Sequence, residues 1–436
     1  SKAEAQRLPS AFAIRQILWL QFAPYAGNSP RFADLDRNAD DKVNLAELGD
    51  YYRREGLGGV MVGVGKPSAT ASLTAALLGH LDTNKDRKVD AAEWQAAEQA
   101  LRHLDKNDDE LIGPGELVAR LAYPGARGSA LLLPPAADLK PHPSTASLPV
   151  MVLPVRQADM YWISALEGRR AQEKLPALSA AELKTLREEV SEIWEVRLGT
   201  RQEDQPALAV AGQQPPKDGR LALANGPVRL VLRSDAGKLK EQVANGRKRL
   251  FGLFSERDGN SDNTLDAKEL ELAGPFKLLL TLADRDNNGK LSKQELTAWL
   301  DVQEQIAKGQ VLLTILDHGS GLFELLDANQ DGGLSPRELR TAWERIKSTG
   351  CVRDGQLDQD RLPRQLIATI SHGHPRLPIS KAFHAGPDWF RAMDKNGDGD
   401  ISRREFSGPA ALFDKLDADQ DGLIDGQEAQ QASRKK

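Results

Sequence analysis

Cysteine is almost missing from this chain of 436 residues, and the lone Cys351 excludes an internal disulfide framework and any thiolate zinc cage. No run of 18 apolar residues occurs, so nothing in the sequence is expected to span a membrane. Aromatic residues make up 5% of the chain and Met61, Met151, Met160 and Met393 are its four methionines, too few for the Met-rich groove with which a sensor captures target helices. Basic clusters such as Arg247, Lys248 and Arg249, or Arg434, Lys435 and Lys436, carry no interleaved aromatics. They read as solvated faces, and nucleic acid is not expected as a partner.

What the chain has in abundance is acid at fixed spacing. Eight times an Asp is followed by Asp or Asn at the third and fifth places, an aliphatic residue at the eighth and Glu at the twelfth. The first four sets, with the seventh-place residue offering its backbone carbonyl, are Asp36, Asn38, Asp40, Lys42 and Glu47; Asp82, Asn84, Asp86, Lys88 and Glu93; Asp105, Asn107, Asp109, Leu111 and Glu116; and Asp258, Asn260, Asp262, Thr264 and Glu269. The second four are Asp284, Asp286, Asn288, Lys290 and Glu295; Asp327, Asn329, Asp331, Gly333 and Glu338; Asp394, Asn396, Asp398, Asp400 and Glu405; and Asp417, Asp419, Asp421, Leu423 and Glu428. One such segment could be an acidic turn before a helix; eight form a repeated cage of hard oxygens suited to Ca²⁺, which takes six to eight of them at flexible geometry. Magnesium, with its tight octahedron, accepts a bidentate Glu poorly.

This spacing resembles the EF-hand superfamily, as a bacterial-type protein with many hands. The resemblance implies helix-loop-helix units, Ca²⁺ as the ion, and a short β-bridge between paired loops at the eighth place: Val43, Val89, Ile112, Leu265, Leu291, Leu334, Ile401 and Ile424. The short distance between neighbouring hands is also similar to lanmodulin, a lanthanide binder. That family carries Pro at the second place; here the residues are Arg37, Thr83, Lys106, Gly259, Arg285, Ala328, Lys395 and Ala418, which disfavours the lanthanide alternative.

The length exceeds a single core, so several domains are expected. Close doublets start at 82 and 105, at 258 and 284, and at 394 and 417, and two have a forerunner at 36 or 327. The run Leu178 to Leu183 resembles the back half of the 327 hand, which suggests a ninth, degenerate hand over 167–182 in the middle group. Alternating apolar segments at Val60–Val64, Val228–Leu232 and Leu366–Ile370 read as one strand per group. The expected fold is mainly α: three tandem modules of three hands and a short strand, at 1–122, 157–302 and 303–436, with a Pro-rich linker at 123–156 and a long mobile loop over 202–219. Only 11, 14 and 11 residues separate the closing Glu from the next opening Asp in the doublets, about one helix of three turns. A single shared helix would prevent the loops of a doublet from bridging each other.

Gly289, Gly332, Gly399 and Gly422 suit the sixth place, where φ is positive, whereas Asp41, Arg87, Glu110 and Asn263 strain it, so loops 82 and 105 are expected to bind more weakly and loop 417 most strongly. No catalytic constellation is found. His372 and His374 read as a polar turn before Pro375, and Ser320 between Gly319 and Gly321 lacks the spacing of a nucleophile elbow. Trp94, Trp299 and Trp343 follow closing glutamates and are expected in the core. The expected role is therefore non-enzymatic: Ca²⁺ ordering a modular scaffold, against the alternatives of a sensor or adaptor for a protein target and a calcium buffer. A further partner would be another protein or another copy of the chain. The Ser start, without a visible leader, and the calcium chemistry suggest an extracytoplasmic setting, periplasmic, cell-surface or secreted.

Overall fold

The computed structural model describes residues 5, 7–19, 28–55, 57, 60–65, 70–119, 121, 196–200, 206–210, 220–225, 227–271, 275–375 and 386–434. The Pro-rich linker and the degenerate hand lie outside them.

The expectation of a mainly α chain of three tandem modules is overturned by a five-stranded mixed sheet. Its strands are β1 (Val60–Gly65), β2 (Arg220–Asn225), β3 (Val228–Asp235), β4 (Val311–Gly319) and β5 (Arg364–Ser371), ordered β1-β4-β5-β3-β2. β1 runs parallel to β4 and β5 parallel to β3, while the central β4–β5 pair and the outer β3–β2 pair are antiparallel. The three strands read from sequence thus exist, but they pair with one another and with β4, which spans a run buried from Leu312 to His318. Burial of successive residues requires cover on both faces. On one face Met61 and Leu312 pack against Ile14, Ile17 and Leu18 of the Ala11–Trp19 helix, Leu239 and Val243 of Leu239–Arg257, and Ala307 of Lys293–Lys308. The other face gathers Val62, Leu313, Ile315, Leu366, Ala368 and Ile370, with Val196 packed against them. Val196–Thr200 pairs with Pro206–Val210 as an antiparallel hairpin, so part of the expected loop at 202–219 is strand.

Loop pairing departs from expectation in a way that two residues explain. Loops 258 and 284 bridge each other through Leu265 and Leu291, and loops 394 and 417 through Ile401 and Ile424. The intervening segments are not single helices. Pro275 opens a fresh helix, Pro275–Ala283, and Pro409 caps Ala410–Leu416; each follows a Gly in sequence. A proline cannot donate to the preceding turn and disfavours helix in the residue before it, so a new helix starts at or after each proline and the two loops can meet. The 82/105 doublet has no Gly-Pro. Ala91–Gln95, Ala97–Leu101 and the 3₁₀ turn Arg102–Leu104 follow one another with Ala96 itself helical, and there the expected separation of the two loops holds. Loop 105 instead bridges loop 327, with Ile112 and Leu334 exchanging two 3.1 Å backbone hydrogen bonds. Loop 82 bridges a hairpin, Val352–Arg353 with Gln356–Leu357: Leu357 donates to the Val89 carbonyl at 2.9 Å and Asp90 opposes Gln356. Loop 36 has no such bridge among the described residues; Val43 packs on Leu35 and Tyr51.

The hands carry their own cores. Hands 82, 105 and 327 share one with the 352–357 hairpin, in which Trp94 is buried and stacks on Trp343 with ring centroids 6.1 Å apart. Hands 258 and 284 enclose another around Phe254, Phe276 and the buried Trp299, and hands 394 and 417 a third around Phe390 and Phe413.

Candidate metal sites in the acidic loops

All eight loops share one backbone. The fourth and sixth residues have positive φ throughout, from Ala39 at 57° and Asp41 at 59° to Gln420 at 62° and Gly422 at 85°. Seven of the eight fourth-place residues are not glycine, a requirement that the sequence pattern conceals because the residue types vary freely. At the sixth place Asp41, Arg87, Glu110 and Asn263 hold the left-handed conformation despite their Cβ, at roughly 1 kcal/mol each and less for Asn or Asp.

The side chains explain why the turn is stable. The first-place carboxylate accepts the sixth-place amide in every loop. The third-place oxygen accepts the fifth-place amide, and the fifth-place oxygen the seventh-place amide. The closing Glu accepts the second-place amide on Oε1 and the ninth-place amide on Oε2, at 2.7 and 3.0 Å for Glu338. Ser292 and Ser335 return the bond as N-caps, forming capping boxes. These bonds bring the ligand residues expected from sequence together within each loop.

Four loops draw acidic oxygens within 4.8 Å of one another: Asp82, Asp86 and Glu93; Asp284, Asp286 and Glu295; Asp327, Asp331 and Glu338; Asp417, Asp419 and Asp421. Oδ1 of Asp284 and Oδ1 of Asp417 are buried without a hydrogen-bond partner, an arrangement that a cation would complete. The donor set is oxygen throughout, which fits a hard divalent ion.

Burial separates the loops electrostatically. Burial, then the neighbouring Glu338 and Asp331 charges, push the Asp327 carboxyl well above its ordinary range, and burial with Asp331 lifts Glu338 to about 7. Burial lifts Asp398 to about 8, with Asp400, Asp394 and Glu405 adding repulsion, and burial lifts Asp400 to about 6 against the pull of Arg337. Glu295 differs: burial pushes it up, but the amides of Ser292, Arg285 and Asp286 and the Ser292 hydroxyl outweigh this and hold it below the usual range.

Cross-loop contacts are the part that spacing did not reveal. Arg337, beside Glu338, donates from Nε to Asp400 at 2.7 Å and pairs through Nη1 with Asp421 at 3.0 Å. Arg340 reaches Glu98 and the Asp421 carbonyl, and Arg404 pairs with Asp108. Scattered arginines just after the loops, two in the helix Pro336–Ser348 and one in the turn after Ser402, are the sequence signal for them, and their targets depend on the tertiary arrangement.

The residues considered for other chemistry are engaged structurally. His374 is buried with Nδ1 2.7 Å from the Pro375 carbonyl, His372 lies 3.3 Å from the Gln310 carbonyl, and Cys351 is buried against Thr349. Ser320 follows β4, where the buried His318 and Glu324 are 3.2 Å apart. Among the described residues no helix is long and apolar enough to cross a membrane.

The family model described as EF hand matches residues 276–300, 320–343, 388–407 and 410–431, which contain loops 284, 327, 394 and 417. These are the four loops with Gly at the sixth place. No curated protein and no solved structure matches the chain.

Proposed function

Because this chain is a member of the EF-hand superfamily, we propose that its role as a calcium-binding protein extends to all eight acidic loops and that the ions act structurally, locking the helices of each hand around a scaffold. The observation that carries this reading is the carboxylate cluster of the buried Asp327 and Glu338 with the half-buried Asp331. It sits beside Leu322, Phe323, Leu325, Leu326, Leu334 and Leu339, all buried in one core. Uncompensated charge at such a place is costly, and a divalent ion would offset it while tying the Leu322–Leu326 helix to Pro336–Ser348. The protein then works as a binding and scaffolding element rather than a catalyst, and a calcium-rich extracytoplasmic setting suits that use.

Differential scanning calorimetry of the full chain in chelator and in saturating Ca²⁺ tests the reading. Each filled site is expected to add about 2.7 kcal/mol at a hundredfold excess over its Kd, so the melting temperature should rise steeply. An unchanged melting temperature would sink the structural role. A sensor predicts a further signal. Among the described residues the exposed large apolar side chains are the scattered Phe12, Leu45 and Leu412, so hydrophobic dye should stay unbound with and without Ca²⁺. Dye uptake induced by Ca²⁺ would favour the sensor instead.

A further inference from the structure

Resting on the calcium reading above, we propose that Asn329 and Asn396 are positioning residues that carry metal binding from one hand pair to another. Loops 105 and 327 form one pair through Ile112 and Leu334, and loops 394 and 417 form a second through Ile401 and Ile424. The two pairs meet through their own ligand side chains. Asn396, third in loop 394, donates from Nδ2 to the carbonyl of Asp109, fifth in loop 105, at 2.9 Å. Asn329, third in loop 327, donates to the carbonyl of Asp398, fifth in loop 394, at 3.3 Å.

Each of these amides has its oxygen turned into its own loop, where it accepts the amide of Asp398 or Asp331 at 3.0 and 2.8 Å. One planar group therefore faces the ion's place with oxygen and the next loop with nitrogen. An ion drawing on the oxygen polarises the N–H bonds and makes them better donors, while fixing the side chain's rotamer. Filling loop 327 thus positions the fifth residue of loop 394, and filling loop 394 positions that of loop 105. The Arg337 bonds to Asp400 and Asp421 hold the two pairs in register, so that the relay acts across a fixed contact. Asn329 and Asn396 also donate from Nδ2 to the carboxylates of Asp331 and Asp398, their own fifth residues, at 2.7 and 3.2 Å, as Asn38, Asn107 and Asn260 do to theirs; what sets the two apart is the further bond of the same amide to another loop.

Hydrogen–deuterium exchange of the full chain, read by mass spectrometry across a Ca²⁺ titration, gives a midpoint for each loop from its own peptides. Asn396→Asp keeps a ligand oxygen, as Asp286 and Asp419 show at that place, and removes the donor. The midpoint of loop 105 is expected to rise about fivefold or more, the lower end of ordinary coupling between sites, while loop 394 keeps or lowers its own. Asn329→Asp should raise the midpoint of loop 394 in the same way. Added negative charge alone would lower neighbouring midpoints, and the intraloop bond that each variant also loses acts on its own loop, so a rise at the neighbouring loop reports the lost cross-loop bond. Loops 258 and 284, in their separate core, should not move. Unchanged midpoints at loop 105 in the first variant and loop 394 in the second would overturn the relay, as would an equal rise at loops 258 and 284. If no wild-type loop gains protection at any Ca²⁺ concentration, the calcium reading itself fails.

Discussion

The doublets at 82/105 and 394/417 have equal spacing, 11 residues from Glu to Asp, and opposite fates. In the first, a near-continuous helical run from Ala91 to Leu104 keeps the loops apart, and each bridges a distant segment. In the second, Gly408 and Pro409 break the chain, and Ile401 meets Ile424. Connection length alone therefore does not decide pairing. What decides it is whether the connection can turn.

The sharpest way to break this contrast is to empty the bridges. Ile401→Ala removes a fully buried side chain at the centre of a two-loop pair, should cost about 2–5 kcal/mol, and should raise the Ca²⁺ midpoint of both loop 394 and loop 417. Val89→Ala removes less buried volume beside a hairpin without ligands, so it should weaken loop 82 and leave loops 394 and 417, in their separate core, unchanged. Chemical denaturation with titration calorimetry checks both. If loop 417 were indifferent to Ile401→Ala, pairing would not transmit binding.

Next in size is the turn itself. Gly408→Ala combined with Pro409→Ala restores helix-forming residues, and an added Cβ at 408 would meet the Phe406 ring at 2.7 Å. A destabilisation of about 1–3 kcal/mol is expected, confined to the 394/417 core, as overpacking usually costs. Thermal unfolding of the pair checks it, and a variant as stable as the parent would refute the role given to Gly-Pro.

Buried and open loops should also diverge with pH. Glu338 and Asp398 have folded values raised to about 7 and about 8, from ordinary values of 4.5 and 3.8. A raised carboxyl holds its proton longer in the folded chain, so its contribution is complete below the ordinary value and is lost as pH rises through 7 to 8. The chelated protein should therefore lose stability between about pH 4.5 and 8. Ca²⁺, which needs both groups ionised, should bind loops 327 and 394 more tightly across that window and release protons. Loop 284, with Glu295 held low, should show little of this. Calorimetry in two buffers of different ionisation heat measures the proton release.

The smallest effect concerns the sixth place. Arg87→Gly or Glu110→Gly relieves roughly 1 kcal/mol of left-handed strain and should tighten loop 82 or 105 by about fivefold. Calcium titration of each variant decides it; an unaltered affinity would mean that the rest of the loop already absorbs the strain.

The loop conformation was legible because each loop is local: twelve residues contain both the turn and the groups that stabilise it. Three sheet strands were legible for the same reason, from alternation at Val60–Val64, Val228–Leu232 and Leu366–Ile370. Their assembly into one sheet was not, because β1 meets β4 some 250 residues away and nothing in either segment names its partner. β4 is hidden in the sequence because its near-continuous apolar run, from Val311 to Leu316, lacks the alternation of a half-buried strand. The signal for loop pairing lies in Gly274-Pro275 and Gly408-Pro409, in the composition of the connections and not in their length. Arg337, Asn329 and Asn396 acquire their cross-loop roles only once two pairs stand side by side.

The hairpin at Val352–Leu357 has a wider consequence. By lending loop 82 a backbone edge, it lets a hand be accommodated singly, so new hands can be grafted one at a time wherever a surface turn offers a matching strip of amides and carbonyls. Odd inventories of such motifs then cease to be anomalies in need of a missing twin.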